Sequence, residues 1–218
     1  MAARSAEASR STFVEMAPAR ASLLVVIAGV CVTLYAQAKP VRVLVQTELG
    51  DIVVEVDQVR APATAANFLR YVDAGHYNGG VWHRTVKMDN QPESPVKIEV
   101  IQAGVNPEFA KSGFPAIALE RTTVTGIQHK DATISMARGA PDSATSGWFI
   151  CINDQPSLDF GGARNPDGQG FAAFGRVVTG MDVVRKIQSA PSSTNRTTNT
   201  EAQRLTPPIK IVKVARLP

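Results

Sequence analysis

Hydrophobic and polar positions first fall into a regular pattern at Val41, where Val41, Val43 and Val45 interleave with Arg42, Leu44 and Gln46. Glu48-Leu49-Gly50-Asp51 then turns the chain into Ile52-Val53-Val54-Glu55-Val56, so the period-two pattern predicts a β-hairpin over 41–56. The period changes after Pro62. Ala65, Phe68, Leu69 and Val72 fall at i, i+3, i+4 and i+7, one face of a helix, with Gly75 where a C-terminal cap belongs. Further short β segments are predicted at 80–84, 96–102, 117–119, 133–137, 148–152 and 171–177. A second, short helix is predicted over 182–188 and a last strand over 209–214. Many short strands separated by turn signals predict a mainly β sandwich or barrel. Residues 88–95 and 160–170 read as turn-rich insertions, and 190–203 as a polar, mobile loop.

The first thirty-eight residues carry a different pattern. Arg4, Arg10 and Arg20 precede an apolar run from Ala21 to Tyr35, which ends in Ala36-Gln37-Ala38 before Lys39-Pro40. A basic n-region, an apolar core and an Ala-x-Ala site mark a secretory signal peptide, with cleavage expected after Ala38. Met16 is an alternative start. The apolar run is short for a membrane span, which needs about 20 residues. Cys31, mid-run, does not suit lipid attachment.

Residues 39–218 then form one domain, 180 residues long. They hold 20 Lys and Arg against 17 Asp and Glu, a formal charge of +3 with the basic residues scattered, which argues against nucleic acid as a partner. Cys151 is the sole cysteine after cleavage, so no intramolecular disulfide is available. Its apolar setting predicts a buried, inert thiol.

Candidate chemistry concentrates in Val81-Trp82-His83-Arg84 and in Ile134-Ser135-Met136-Ala137 leading to Trp148-Phe149-Ile150. Neither offers a nucleophile with a matched base. His76, His83 and His129 lack metal-ligand spacing, and the glycines of 161–170 lack the Lys-Ser/Thr of a phosphate loop. What is present is a fixed cation beside an apolar, aromatic shelf. That pairing suits rotation of a prolyl amide, whose barrier of about 18–20 kcal/mol reflects a delocalised nitrogen lone pair. A guanidinium can hydrogen-bond the nitrogen as it pyramidalises, and no proton is transferred.

Thr47-Glu48-Leu49-Gly50-Asp51-Ile52, Asn67-Phe68-Leu69, Gly75-His76-Tyr77, Trp82-His83-Arg84, Gln102-Ala103-Gly104, Ser135-Met136-Ala137, Trp148-Phe149-Ile150 and Phe174-Gly175-Arg176-Val177 follow in order. In this the chain resembles the cyclophilin-type peptidyl-prolyl cis-trans isomerases over essentially all of 39–218. The resemblance implies a closed eight-stranded antiparallel barrel capped by two helices. It implies Arg84 as the catalytic residue and a substrate-binding set of Gln102, Phe149, Val100, Leu158, Ala137, Arg138, Trp148 and Phe171. Phe149 would floor the proline pocket, Leu158 and Val100 wall it, Gln102 hold the arginine, and the backbone at Ala137 and Arg138 pair with substrate.

The chain also departs from the family. Eighteen positions separate Arg84 from Gln102, so an insertion sits beside the presumed site. Counting back from Gln102 puts Glu99 where relatives carry a pocket phenylalanine: either the alignment shifts locally or the pocket is more polar. Arg138 replaces the usual asparagine, and Ser157 and Phe171 stand where some relatives have tryptophan and histidine.

The reading is therefore an isomerase of Xaa-Pro bonds in exported proteins, periplasmic or secreted, monomeric, without cofactor or metal, and without membrane insertion after cleavage. The alternatives are a proline-segment-binding chaperone or scaffold with little catalysis, and a small-molecule-binding barrel.

Overall fold

A computed structural model of the protein describes residues 40–218. The signal peptide read over 1–38, its cleavage site and Cys31 lie outside the described residues. Eight strands, β1 (Val41–Thr47), β2 (Gly50–Val56), β3 (Val81–Val86), β4 (Val100–Gly104), β5 (Thr133–Met136), β6 (Trp148–Cys151), β7 (Ala172–Thr179) and β8 (Arg204–Arg216), close a barrel in the order β1-β2-β7-β5-β6-β4-β3-β8. Every pairing is antiparallel. Closure leaves no sheet edge unpaired.

The predicted hairpin is β1–β2, in register from Val41↔Val56 to Thr47↔Gly50. Gly50 takes φ +130°, a conformation that L side chains rarely adopt, and so permits the tight reversal. Alternation puts Val43, Val45, Ile52 and Val54 wholly inside. Helix α1 (Pro62–Asp73) starts on a proline, which suits the first turn, and it packs Phe68, Leu69 and Val72 onto the core against β7 and β8. Its free N–H groups at Ala63 and Thr64 donate to the Glu120 carboxylate at 3.0 and 2.8 Å. Helix α3 (Met181–Ser189) buries Val183, Val184 and Ile187 and packs against β2, β3 and β4. Two short helices, α2 (Thr122–Thr125) and α4 (Asn199–Ala202), complete the set.

Three expectations need correcting. The strand expected over 96–102 begins only at Val100 and runs to Gly104. Residues 117–119 form no strand; only an isolated bridge joins Ile117 to Ala144, and the Leu119 N–H donates to the Asp142 carboxylate at 2.8 Å instead of to a strand carbonyl. The stretch 190–203 is not simply a polar loop. Its last residues form α4, and Ala202 and Gln203 are both wholly buried. Among the described residues no helix is long and apolar enough to cross a membrane.

Candidate active site

Register alone assembles the site. Arg84 on β3 lies opposite Gln102 on β4, Gln102 opposite Phe149 on β6, and Phe149 opposite Ser135 on β5. Directly opposed residues share a face. The row therefore runs across four strands on one face, while the alternate residues Ile101, Ala103, Trp148 and Ile150 belong to the interior core.

Arg84 is held by neutral oxygens. Its Nη1 donates to Gln102 Oε1 at 2.8 Å, and its Nε and Nη2 donate to Gln203 Oε1 at 2.8 and 2.6 Å. Gln203 is itself fixed, since its Nε2 donates to the Asn90 carbonyl at 3.1 Å. Asn90, wholly buried, donates to the Thr85 carbonyl at 3.0 Å and accepts from the Lys87 N–H at 2.7 Å. Burial, then the nearby Arg164 cation, pull the Arg84 pKa down to about 10. That still leaves it charged at neutral pH. Burial and Arg84 likewise push the neighbouring His83 below its ordinary value, favouring a neutral imidazole.

Beside the cation lies a separate apolar cluster of Val86, Ile98, Val100, Phe149, Cys151 and Leu158, with Ala137 and Phe171 packed against it. The Phe149 ring is fixed from two sides. Phe171 meets it edge-on, with centroids 5.4 Å apart and planes at 89°, and His129 stacks on it at 6.0 Å and 14°. His129 is held in turn by Asp159 Oδ1 at Nδ1 (2.7 Å) and by Ser135 Oγ at Nε2 (2.9 Å). Burial works against the Asp159 carboxylate, but hydrogen bonds from the His129 side chain and backbone outweigh it and hold its pKa below the usual range. In the neutral imidazole with its proton on Nδ1 toward Asp159, the Ser135 hydroxyl donates to Nε2. The arrangement resembles an activated serine, yet Ser135 is wholly buried and out of reach of substrate. It buttresses the aromatic shelf.

Phe171 has its own support. Arg138 stands over its ring at 5.1 Å, donates from Nε to the Gly170 carbonyl at 2.7 Å, and binds Asp167 through both terminal nitrogens at 2.8 and 2.9 Å. The Arg138 side chain is therefore used in building the wall. Cys151 is fully buried, and burial pushes its thiol pKa well up, in keeping with an inert thiol.

Arg84, Gln102, Val100, Phe149, Leu158, Ala137, Arg138 and Phe171 thus gather on one face. Trp148 does not. It pairs with Ala103, points into the barrel and packs edge-on against Trp82 at 4.9 Å, because the pleat sends it opposite to Phe149. The Glu99 question also resolves. Ile98 and Val100 belong to the apolar cluster, while the Glu99 carboxylate accepts from Asn153 at 2.8 Å and Gln188 at 3.1 Å. At this point the apolar cluster holds Ile98, and the Glu99 side chain is engaged by Asn153 and Gln188. Sequence reasoning missed Gln203, Arg164, Ile98, Val86 and the His129 buttress. Of these, only Ile98 left a local signal, its period-two relation to Val100 and Gln102.

Comparisons with known proteins agree. Residues 42–216 match the family described as "Cyclophilin type peptidyl-prolyl cis-trans isomerase/CLD". A peptidyl-prolyl cis-trans isomerase of Acinetobacter baylyi is 35% identical over 78% of this chain and 83% of that protein. Isomerase B of Escherichia coli is 34% identical over 65% of this chain and 80% of its own length. In structure, the cyclophilin-type isomerase cgd2_1660 of Cryptosporidium parvum superposes with a TM-score of 0.63 over 83% of this chain and 99% of that one, at 18% identity, which speaks for the fold. With profile, relatives, barrel and cross-strand row in agreement, the chain belongs to the cyclophilin-type peptidyl-prolyl cis-trans isomerases.

Proposed function

We propose that the protein isomerises Xaa-Pro bonds of exported polypeptides and so assists their folding, acting outside the cytoplasm as a monomer without a cofactor. The observation that carries the site assignment is the Arg84 guanidinium, held by two glutamine oxygens next to the apolar cluster around Phe149. In this reading the prolyl ring enters between Phe149, Val100, Leu158 and Phe171. Arg84 hydrogen-bonds the amide nitrogen as its lone pair localises, Gln102 contacts the substrate backbone, and Ala137 and Arg138 offer their own backbone to it. A rate gain of about 10⁵ requires about 7 kcal/mol of preferential transition-state binding, within reach of several hydrogen bonds in a water-poor groove.

A C. parvum cyclophilin-type isomerase was solved in the presence of the dipeptide Ala-Pro, which supports a proline-containing ligand. Export rests on the basic n-region, apolar run and Ala-x-Ala of residues 1–38. The test is isomerisation of a proline peptide by exchange spectroscopy with the full-length protein and with Arg84→Ala. The expected result is activity in the first and a loss of at least about 100-fold in kcat/KM in the second, as for removal of one transition-state donor. Full activity in Arg84→Ala overturns the mechanism; a wild type that binds proline peptides without turnover favours a binding module.

A further inference from the structure

Two insertions flank the site, and they are built into each other. Gln91, buried in the 88–97 segment, bridges the ends of the adjacent strands: its Nε2 donates to the Lys87 and Ile98 carbonyls at 2.8 and 2.9 Å. Its Oε1 accepts from Nη1 of Arg164, which belongs to the 160–170 loop, at 2.8 Å. The same Nη1 donates to the Val96 carbonyl, and the Arg164 backbone N–H donates to Ser157 O at 3.1 Å, next to the wall residue Leu158. The residue before Gln91 is Asn90, whose carbonyl fixes the Gln203 that holds Arg84. Two consecutive buried residues of one insertion thus support two guanidiniums, Asn90 holding Arg84 through Gln203 and Gln91 holding Arg164 directly.

Among the described residues neither guanidinium has a carboxylate partner. Arg84 rests on Gln102 and Gln203, Arg164 on Gln91 and the Val96 carbonyl, all neutral acceptors. Elsewhere in the described residues Arg42, Arg60, Arg138, Arg176, Arg185, Arg204 and Arg216 pair with acids, while Arg70, Arg121 and Arg196 also rest on neutral acceptors. A guanidinium carries five N–H donors. Among the described residues Arg164 donates from Nη1 alone, and Arg84 uses three of its five N–H groups. Two like charges held half out of water repel each other, and burial weakens the screening that would relieve them. An anionic group within reach of the free donors of both would relieve that repulsion.

We propose that Arg84 and Arg164 form a paired-cation subsite that gives preference to Xaa-Pro segments carrying a carboxylate side chain next to the proline. The inference rests on the isomerase reading above and names the substrate class of the same site. Arg164 acts here as a specificity-determining residue, outside the step of bond rotation.

The test compares tetrapeptides with Glu, Gln or Lys immediately before or immediately after proline, by exchange spectroscopy with the full-length protein. At low ionic strength, kcat/KM for Glu at one of the two positions should exceed that for Lys by about fivefold or more, with Gln between them. Arg164→Gln should bring the ratio to about twofold or less, and so should about 0.5 M salt on the wild type. Equal rates for Glu and Lys in the wild type overturn the proposal, as does a ratio undiminished in Arg164→Gln. If that variant does not fold, the salt series decides, and a ratio that survives high salt overturns it. If no peptide is isomerised, the isomerase reading fails separately, and chemical-shift titration with the same peptides still reads the selectivity.

Discussion

Gln203 offers the sharpest test of how the cation is aimed. It is wholly buried, and its single side-chain oxygen takes two hydrogen bonds from Arg84 at 2.8 and 2.6 Å while its amide nitrogen donates to Asn90. Hydrogen bonds to a charged group contribute about 1.5–3 kcal/mol each. In Gln203→Ala both are lost from Nε and Nη2, Gln102 still holds Nη1, and water entering the space recovers part of the rest. A net loss of about 2 kcal/mol in orienting the guanidinium corresponds to about 30-fold in kcat/KM. The loss should fall on kcat and leave KM nearly unchanged, because the apolar cluster around Phe149 does not include Gln203. Gln203→Glu keeps an acceptor in place but sets a carboxylate against the cation, so it should not restore the rate. Exchange spectroscopy gives both constants, and a thermal melt confirms that the variant is folded at the assay temperature. A folded Gln203→Ala protein with kcat/KM within about twofold of wild type would refute the argument that Gln203 positions Arg84.

Phe149→Leu keeps an apolar floor but loses the stacking with His129 and the edge contact with Phe171, each aromatic pair being worth about 0.5–1.5 kcal/mol; peptide titrations should show a KM raised severalfold, and an unchanged KM would remove Phe149 from the pocket. The Arg138 hydrogen bonds, followed by one from the Gln169 N–H, hold the Asp167 carboxyl at about 2, below the usual carboxylate value. A depressed folded-state pKa means that this contribution is present above about pH 4 and is lost as the pH falls through about 2; an NMR titration of Asp167 should show that midpoint, and Asp167→Asn should show a weaker decline of stability over the same window. N-terminal sequencing of the exported protein should begin at Lys39, and an intact leader in that fraction would contradict the cleavage reading.

Short-range pattern carried most of the fold. The hairpin 41–56, helix α1 and most strands were legible because period-two and period-3.6 burial is imposed residue by residue, whatever lies far away in sequence. Strand 117–119 failed because three apolar residues cannot specify a partner, and the Asp142 side chain takes the N–H that a ladder would have used. Trp148 was misassigned to the site because motif resemblance treats Trp148-Phe149 as a unit, whereas the pleat sends the two rings to opposite faces.

The sequence by itself predicted a mainly β sandwich or barrel from its alternating segments, and its family resemblance implied the closed eight-stranded barrel with Arg84, Gln102 and Phe149 at the site. Only the tertiary structure decided what holds them. Gln203 meets Arg84 across 119 positions, and Arg164 meets Gln91 across 73. Such contacts arise when the barrel closes and the insertions fold against each other. No local periodicity encodes them, and so both the support of the Arg84 guanidinium and the anchoring of Arg164 become visible only in three dimensions.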